Sequence, residues 1–130
     1  MNDTLSDTIV RIKQAQLKHK KEVQCINSNL IRNLMTILWK EGLIEGYTIN
    51  DKYLLISLHY KENLQPALTF IRRCSKPGSR IYLSSNDVKK LAKNTLPQYG
   101  FYILSTNKGL VTSQQAIEFN VGGELLCRVG

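Results

Sequence analysis

The sequence predicts a mixed α/β (α+β) fold of two small domains, an N-terminal helix-strand-helix-strand-strand domain and a strand-rich C-terminal domain with short helices. A length of 130 residues suits one or two small domains. Apolar residues recur at helical spacing in the first half, whereas short apolar runs separated by turn residues fill the second half. The polar, aperiodic segment 61–66 marks the boundary, so the predicted domains are residues 1–65 and 66–130.

The N-terminal half alternates helices with strands. Helices are predicted where a capping residue precedes apolar residues spaced three or four apart, and strands where short β-favouring runs are bounded by polar turns. The predicted elements are a helix from Asp3 or Thr4 to about Leu17, a strand over 22–26, a helix between the caps Asn27-Ser28-Asn29 and Gly42, and strands over 44–49 and 53–60.

The C-terminal half is predicted to consist mainly of short strands. Pro77 and Gly78 occupy the central positions of a tetrapeptide turn, which predicts a type II turn with a positive φ at Gly78. Thr112 and Gln115 have the spacing of a capping box. The other predicted elements are strands over 68–74, 80–84, 101–105 and 124–129, the last after Gly122-Gly123, and a basic helix capped by Asn86 and running through Lys93, followed by a loop that Pro97 and Gly100 end.

Positive charge is concentrated in the second half of the chain. The net charge is +8; residues 1–65 contain nine Lys/Arg and seven Asp/Glu, whereas residues 66–130 contain nine Lys/Arg and three Asp/Glu. A basic chain of this size favours a polyanionic partner, most often nucleic acid. An unevenly solvated surface is the alternative explanation. The favoured interpretation places the main polyanion contact in the second half.

Few features point to catalysis, metals or membranes. His19 and His59 fall in different predicted elements, no Cys or His pair has metal-ligand spacing, and the basic half has too few carboxylates to hold Mg²⁺. The apolar runs are far too short for a membrane span, and the acidic start argues against a signal or transit peptide. The odd, widely spaced cysteines indicate reduced thiols: Cys25, Cys74 and Cys127. We expect no enzyme, cofactor, metal, membrane or small-molecule substrate.

The most informative stretch runs from Gly100 to Ala116, GFYILSTNKGLVTSQQA. Within it a predicted strand leads into a loop of hydroxyls, one amide, one cation and one glycine: Ser105, Thr106, Asn107, Lys108 and Gly109. Hydroxyl and amide groups can bond to base edges and to the 2′-hydroxyl of RNA, and a lysine can bind phosphate. An ordinary polar turn would have a similar composition, so composition alone leaves both interpretations open.

This stretch resembles the signature of the small-subunit ribosomal protein eight family in its bacterial and organellar form. Four further segments resemble the family in the right order over nearly the whole chain: Leu5-Ser6-Asp7 through Arg11-Ile12, Leu38 to Ile44, Arg73 to Tyr82, and Val121 to Cys127. The resemblance implies a structural constituent of the ribosome. Such a protein binds the central domain of small-subunit ribosomal RNA and supports subunit assembly and translation.

The resemblance also implies that the C-terminal domain makes the principal RNA contact. The candidate positions are Ser105, Thr106, Asn107, Lys108 and Gly109 in the loop, Lys76, Pro77, Gly78, Arg80 and Tyr82 around the turn, and Gly123 and Glu124 at the closing strand. For Glu124 the alternative is a strand residue paired with a nearby cation. The N-terminal half is expected to contact neighbouring small-subunit proteins, ribosomal protein five among them, and to make lesser RNA contacts.

The chain departs from the family's usual pattern at Asn107, at Ser79, over residues 94–99 and at its C-terminus, which leaves the fine RNA contacts open. Such drift in an Asn-, Ile- and Lys-rich chain favours an organelle-encoded mitochondrial member in the matrix, with a bacterial cytoplasm or a plastid as alternatives. Two other functions remain open from the sequence. One is a free regulatory protein that binds messenger RNA mimicking the ribosomal site, and the other is an enzyme acting on nucleic acid.

Overall fold

A computed structural model describes residues 4–95 and 100–130, and the chain divides into an N-terminal unit, Met1–Thr69, and a C-terminal unit, Phe70–Gly130. Its described residues form four helices and two antiparallel sheets, which confirms the predicted α+β class. In chain order the elements are α1 (Thr4–Leu17), β1 (Glu22–Ile26), α2 (Asn29–Lys40), β2 (Ile44–Asn50), β3 (Tyr53–Leu58), β4 (Ile71–Arg73), β5 (Tyr82–Leu83), α3 (Ser85–Asn94), β6 (Phe101–Thr106), β7 (Gly109–Thr112), α4 (Ser113–Phe119) and β8 (Gly123–Val129).

The N-terminal unit has the predicted helix-strand-helix-strand-strand order. Its sheet has the strand order β1-β3-β2, and the apolar faces of α1 and α2 supply much of a core that includes Ile12, Leu34 and Leu54. The hydroxyl of Ser28 caps α2 by accepting from the backbone N–H of Ile31 at 3.2 Å. The left-handed conformation of the glycine that follows the helix, Gly42, ends it as predicted.

The C-terminal unit is a sheet covered by two short helices. Its strand order is β4-β8-β6-β7, and β5 also pairs with β8. Helices α3 and α4 pack together, and the buried cluster they help to form consists of Val88, Leu104, Val111, Ala116 and Leu125. Strand β8 is thus the central strand on which the unit is assembled.

Two predicted strands of the C-terminal unit are shorter than expected. The strands predicted over 68–74 and 80–84 reduce to β4 and β5. Both pair with the same edge of β8, β4 along its last three residues and β5 along its first two. Because the two strands share one edge, neither can extend along the whole of it.

Three local predictions in the C-terminal unit need correction. Helix α3 is capped by Ser84 rather than Asn86, since Ser84 and Asp87 exchange two hydrogen bonds of 3.2 Å in a capping box. Gly78 has no positive φ, so the turn is not type II. The loop predicted at residues 105–109 is shorter than expected, because β6 extends to Thr106 and β7, which was not predicted, begins at Gly109. The loop prediction at Pro97 lies outside the described residues.

Candidate nucleic-acid interface

The loop of the informative stretch is the end of the β6–β7 hairpin. Thr106 pairs with Gly109, and Asn107 and Lys108 form the connection between the strands. The Thr106 hydroxyl donates to the carbonyl oxygen of Gly109 at 2.9 Å and accepts from the backbone N–H of Lys108 at 3.1 Å. Gly109 supplies the positive φ of 98° that closes the turn. We call residues 105–109 the hairpin tip; its last three residues are exposed.

Three candidate residues lie side by side on adjacent strands. Glu124 of β8 stands directly opposite Ser105 of β6 on one side and Tyr82 of β5 on the other. Directly opposite residues of an antiparallel sheet point to the same face. Tyr82 is 67% exposed, so its ring is open to solvent at one end of this row. The fold therefore joins the candidates of the hairpin tip to those of the closing strand.

Gly123 permits the close approach of these strands. A Cβ atom added there would overlap the carbonyl oxygen of Ser105. The neighbouring Gly122 is equally constrained, because its Cβ would overlap the carbonyl oxygen of Leu83. The structure thus gives Gly123 a packing reason to be glycine, and contact with RNA at this position stays a prediction.

Glu124 forms an ion pair with Arg80. The Arg80 Nη1 atom lies 3.1 Å from Oε2 and 3.3 Å from Oε1 of the carboxylate. The Glu124 side chain is 14% exposed and that of Arg80 is 47% exposed, so the guanidinium covers the carboxylate and keeps part of its own surface in solvent. The structure contains the cation pair expected in the alternative for Glu124. Contact of Glu124 with RNA stays a prediction.

The turn at residues 76–79 is held by a buried serine. Lys76 and Ser79 exchange backbone hydrogen bonds of 3.1 and 2.9 Å, and Lys76, Pro77 and Gly78 are exposed. The hydroxyl of Ser75, which is 2% exposed, accepts from the backbone N–H of Ile81 at 2.9 Å. This bond fixes both ends of the turn beside Arg80. Within the described residues no side-chain hydrogen bond links the turn to the hairpin tip.

Comparison with known proteins decides the family. The family model described as Ribosomal protein S8 matches residues 3–129. The chain belongs to the Ribosomal protein S8 family. It is 40% identical to the small ribosomal subunit protein uS8 of Mycoplasmopsis synoviae (strain 53), over 97% of this chain and 96% of that protein. It is 37% identical to the protein uS8c of Gracilaria tenuistipitata var. liui, over 99% and 98% of the two chains.

Membership of the S8 family indicates the general function of the chain. The family is one of structural rather than catalytic proteins, this chain is a structural constituent of the ribosome, and binding of ribosomal RNA is typical of the family. Its partners are therefore ribosomal RNA and other ribosomal proteins. The resemblance stated from the sequence is confirmed. The individual contact residues stay predictions.

The structure adds to the hairpin tip of this S8-family chain a residue that the sequence did not indicate. The Lys108 Nζ atom lies 5.1 Å from the centroid of the Phe119 ring, within cation–π range. Phe119 is the last residue of α4, and its ring is 46% exposed. The two residues are neighbours only through the fold, so no local sequence signal could have paired them. The Phe119 ring thus contacts the cation of the hairpin tip.

Burial favours the protonated form of all three thiols of this family member. Burial raises the pKa of Cys25 to about 11 and that of Cys127 to about 12, and it also raises the pKa of Cys74.

Within residues 4–95 and 100–130, no three His, Cys, Asp or Glu side chains are grouped closely enough to hold a metal ion. No helix of the described residues combines the length and apolar character needed to cross a membrane.

Proposed function

We propose that this chain binds the central domain of small-subunit ribosomal RNA through its C-terminal unit and supports assembly of the small subunit. One observation carries the proposal: the hairpin tip and the row formed by Tyr82, Glu124 and Ser105 lie on adjacent strands. The C-terminal unit also carries most of the excess positive charge, with nine Lys/Arg and three Asp/Glu. Charge and polar side chains therefore favour the same unit as the RNA-binding domain.

The chemistry of the surface suits an irregular RNA helix. A regular A-form helix hides its base edges in a deep, narrow major groove, so short hydroxyls read RNA best in the minor groove or at unpaired bases. Ser105 offers one such hydroxyl, and Tyr82 offers an exposed ring on which a base can stack. Lys108 supplies the charge for a phosphate. Shape and a few direct contacts would then provide specificity.

Several finer assignments belong to the same proposal. The C-terminal contact residues are those predicted from the sequence, including the turn residues Lys76, Pro77 and Gly78. The N-terminal unit, whose charge is nearly balanced, packs against neighbouring small-subunit proteins, of which ribosomal protein five is one, and makes lesser RNA contacts. The Asn-, Ile- and Lys-rich composition favours a mitochondrial ribosome, with a bacterial or plastid ribosome as the alternative. The chain has no catalytic activity of its own.

The decisive experiment is a binding titration with two RNAs. Full-length protein is titrated with a fragment of the central domain of small-subunit ribosomal RNA and with a regular duplex of equal length. We expect tighter binding to the fragment, because irregular RNA also exposes base edges that the narrow major groove of a regular duplex hides, and a steep fall of affinity with salt. Equal affinity for both RNAs, or a response independent of salt, would contradict the proposal.

Two further measurements separate this function from the alternatives. Incubation with labelled RNA and Mg²⁺ tests for nuclease activity, and we expect the RNA to stay intact. Sedimentation of a cell extract separates protein bound to small subunits from a free regulatory pool. We expect the protein in the small-subunit fractions, whereas a mainly free pool would favour a regulatory protein.

A further inference from the structure

Helix α3 carries a cluster of lysines that the proposed RNA-binding residues do not include. Lys89, Lys90 and Lys93 are all exposed. Positions three and four apart lie on one side of a helix, so Lys93 is next to both other lysines. The opposite side of the helix is apolar: Val88 is 1% exposed, and Leu91 packs against the buried cluster. The packing of α3 therefore directs the lysines into solvent.

This lysine face has no ion-pair partner in the part of the chain that the structure describes. Among the described residues, no carboxylate forms an ion pair with Lys89, Lys90 or Lys93. The nearest acid in sequence, Asp87, is occupied by the capping box with Ser84, and hydrogen bonds to Ser84 lower its pKa more than the nearby Lys90 does. Like charges three and four positions apart destabilise a helix. A polyanion bound there would remove that repulsion.

Helix α3 lies on the side of the sheet where Phe119 of the adjacent α4 contacts Lys108 of the hairpin tip. The side chains of Tyr82, Glu124 and Ser105 point to the other side, because the neighbouring Leu104 and Leu125 pack with Val88 of α3.

The cap of α3, Ser84, follows β5, and Leu83 of that strand pairs with Gly123, which in turn lies against Ser105. A Cβ atom added to Gly122 would crowd Ser84, so the helix start and the start of β8 are in contact. An α-helix rises 1.5 Å per residue, which places Lys93 roughly 13 Å along the axis from the cap. The Thr95 hydroxyl, directly after α3, donates to the Tyr102 hydroxyl near the start of β6 at 3.4 Å, so the helix runs away from the hairpin tip.

We infer that the lysine face of α3 is a second RNA-binding surface, which holds the phosphate backbone of the RNA beside the segment bound at the hairpin tip. This inference rests on the proposed function. Lysine ammonium groups bind phosphates without reading sequence, so this surface adds affinity and orientation rather than specificity. Its contribution enters through counterion release and is greatest at low salt.

The test compares two triple variants of the full-length protein. Lys89→Gln/Lys90→Gln/Lys93→Gln removes the lysine face and retains good helix-forming residues. Lys40→Gln/Lys52→Gln/Lys61→Gln removes the same charge from exposed positions of the N-terminal unit. Each protein is titrated with the central-domain fragment and the regular duplex at several salt concentrations, and circular dichroism and thermal unfolding confirm that each is folded.

For the α3 variant we expect a loss of affinity of about tenfold to a hundredfold at low salt, of similar size for both RNAs, and a log–log salt slope shallower by about two to three. The control variant should lose much less. An unchanged slope in the α3 variant, or equal losses in both variants, would overturn the inference. If the wild-type protein does not distinguish the two RNAs, the proposed function fails, and the comparison of variants still tests the lysine face separately.

Discussion

Both carboxylate oxygens of Glu124 lie within 3.3 Å of Nη1 of Arg80, although the two residues are 44 positions apart in the chain. Glu124 is the middle residue of the row on β5, β8 and β6, and Arg80 lies between the turn of residues 76–79 and β5. The ion pair therefore links the candidate residues around the turn to those of the closing strand. It also leaves the Glu124 carboxylate with a cationic partner at a mostly buried position.

Arg80→Met should destabilise the fold. The substitution keeps much of the aliphatic stem and leaves the carboxylate of Glu124, which is mostly buried, without its partner. We expect the free energy of unfolding in urea to fall by about 1–2 kcal/mol. Adding Glu124→Gln should recover part of the loss, because the amide does not need a cation. Arg72→Met, at an exposed position of β4, is the control, and equal losses in both single variants would contradict the structural role of the pair.

Gly123→Ala should destabilise the fold much more than Gly78→Ala. The added methyl group at position 123 meets the carbonyl oxygen of Ser105 and forces β8 and β6 apart, at a cost of about 2 kcal/mol or more. At Gly78 a Cβ atom meets nothing within 4 Å, and its φ is not positive, so alanine should be neutral or slightly stabilising. Thermal and urea unfolding measure both effects. A tolerated alanine at 123 would show that the strands can separate without loss.

Local chemistry explains which features the sequence could predict. The capping box of Thr112 and Gln115 needs only residues three apart, and it forms as predicted. Ser84 and Asn86 can both cap a helix. Which of them caps α3 depends on where β5 ends, and the pairing of β5 with β8 determines that end. Contacts such as that of Lys108 with Phe119 join separate elements, so no pattern along the chain predicts them.

Stability should fall at alkaline pH because of two buried thiols. Burial raises the pKa of Cys25 to about 11 and of Cys127 to about 12 from an ordinary value of 9.0. Above pH 9 the unfolded chain loses protons that the folded protein retains, so the stabilisation present below pH 9 is lost as pH rises towards 11 and 12. Each thiol contributes a slope of up to about 1.4 kcal/mol per pH unit.

Urea unfolding at pH 8, 9 and 10 measures this dependence. Cys127→Ala should be less stable at pH 8, because the core loses a packed sulfur, and should show a shallower decline between pH 9 and 10 than the wild type. Val129→Ala, which removes buried apolar atoms from the same strand and no thiol, is the control: it should lower stability without changing the pH dependence. A decline of the same steepness in Cys127→Ala and the wild type would assign the pH dependence to other groups.

Lys108→Ala should weaken binding to the central-domain fragment. Loss of one charge-assisted contact corresponds to about 1–2 kcal/mol of binding free energy. The side chain is exposed at the hairpin tip, so the fold should be unaffected. Lys52→Ala, in the exposed turn between β2 and β3, is the matched control. Titrations at a single moderate salt concentration suffice, and unchanged affinity in Lys108→Ala would remove this residue from the interface.

Phe119→Leu should weaken binding to the same fragment by a smaller amount, because leucine keeps apolar contact but removes the ring that attracts the Lys108 ammonium group. A cation–π contact at a partly exposed site contributes about 0.5–1 kcal/mol. Without it the Lys108 side chain is more mobile in the free protein, so RNA binding costs more conformational entropy. In the Lys108→Ala background Phe119→Leu should have no further effect, since the cation it positions is gone. A double-mutant cycle of binding free energies measures this coupling. If the two substitutions reduce affinity additively, Phe119 does not act through Lys108, and the prediction that it positions this lysine is wrong.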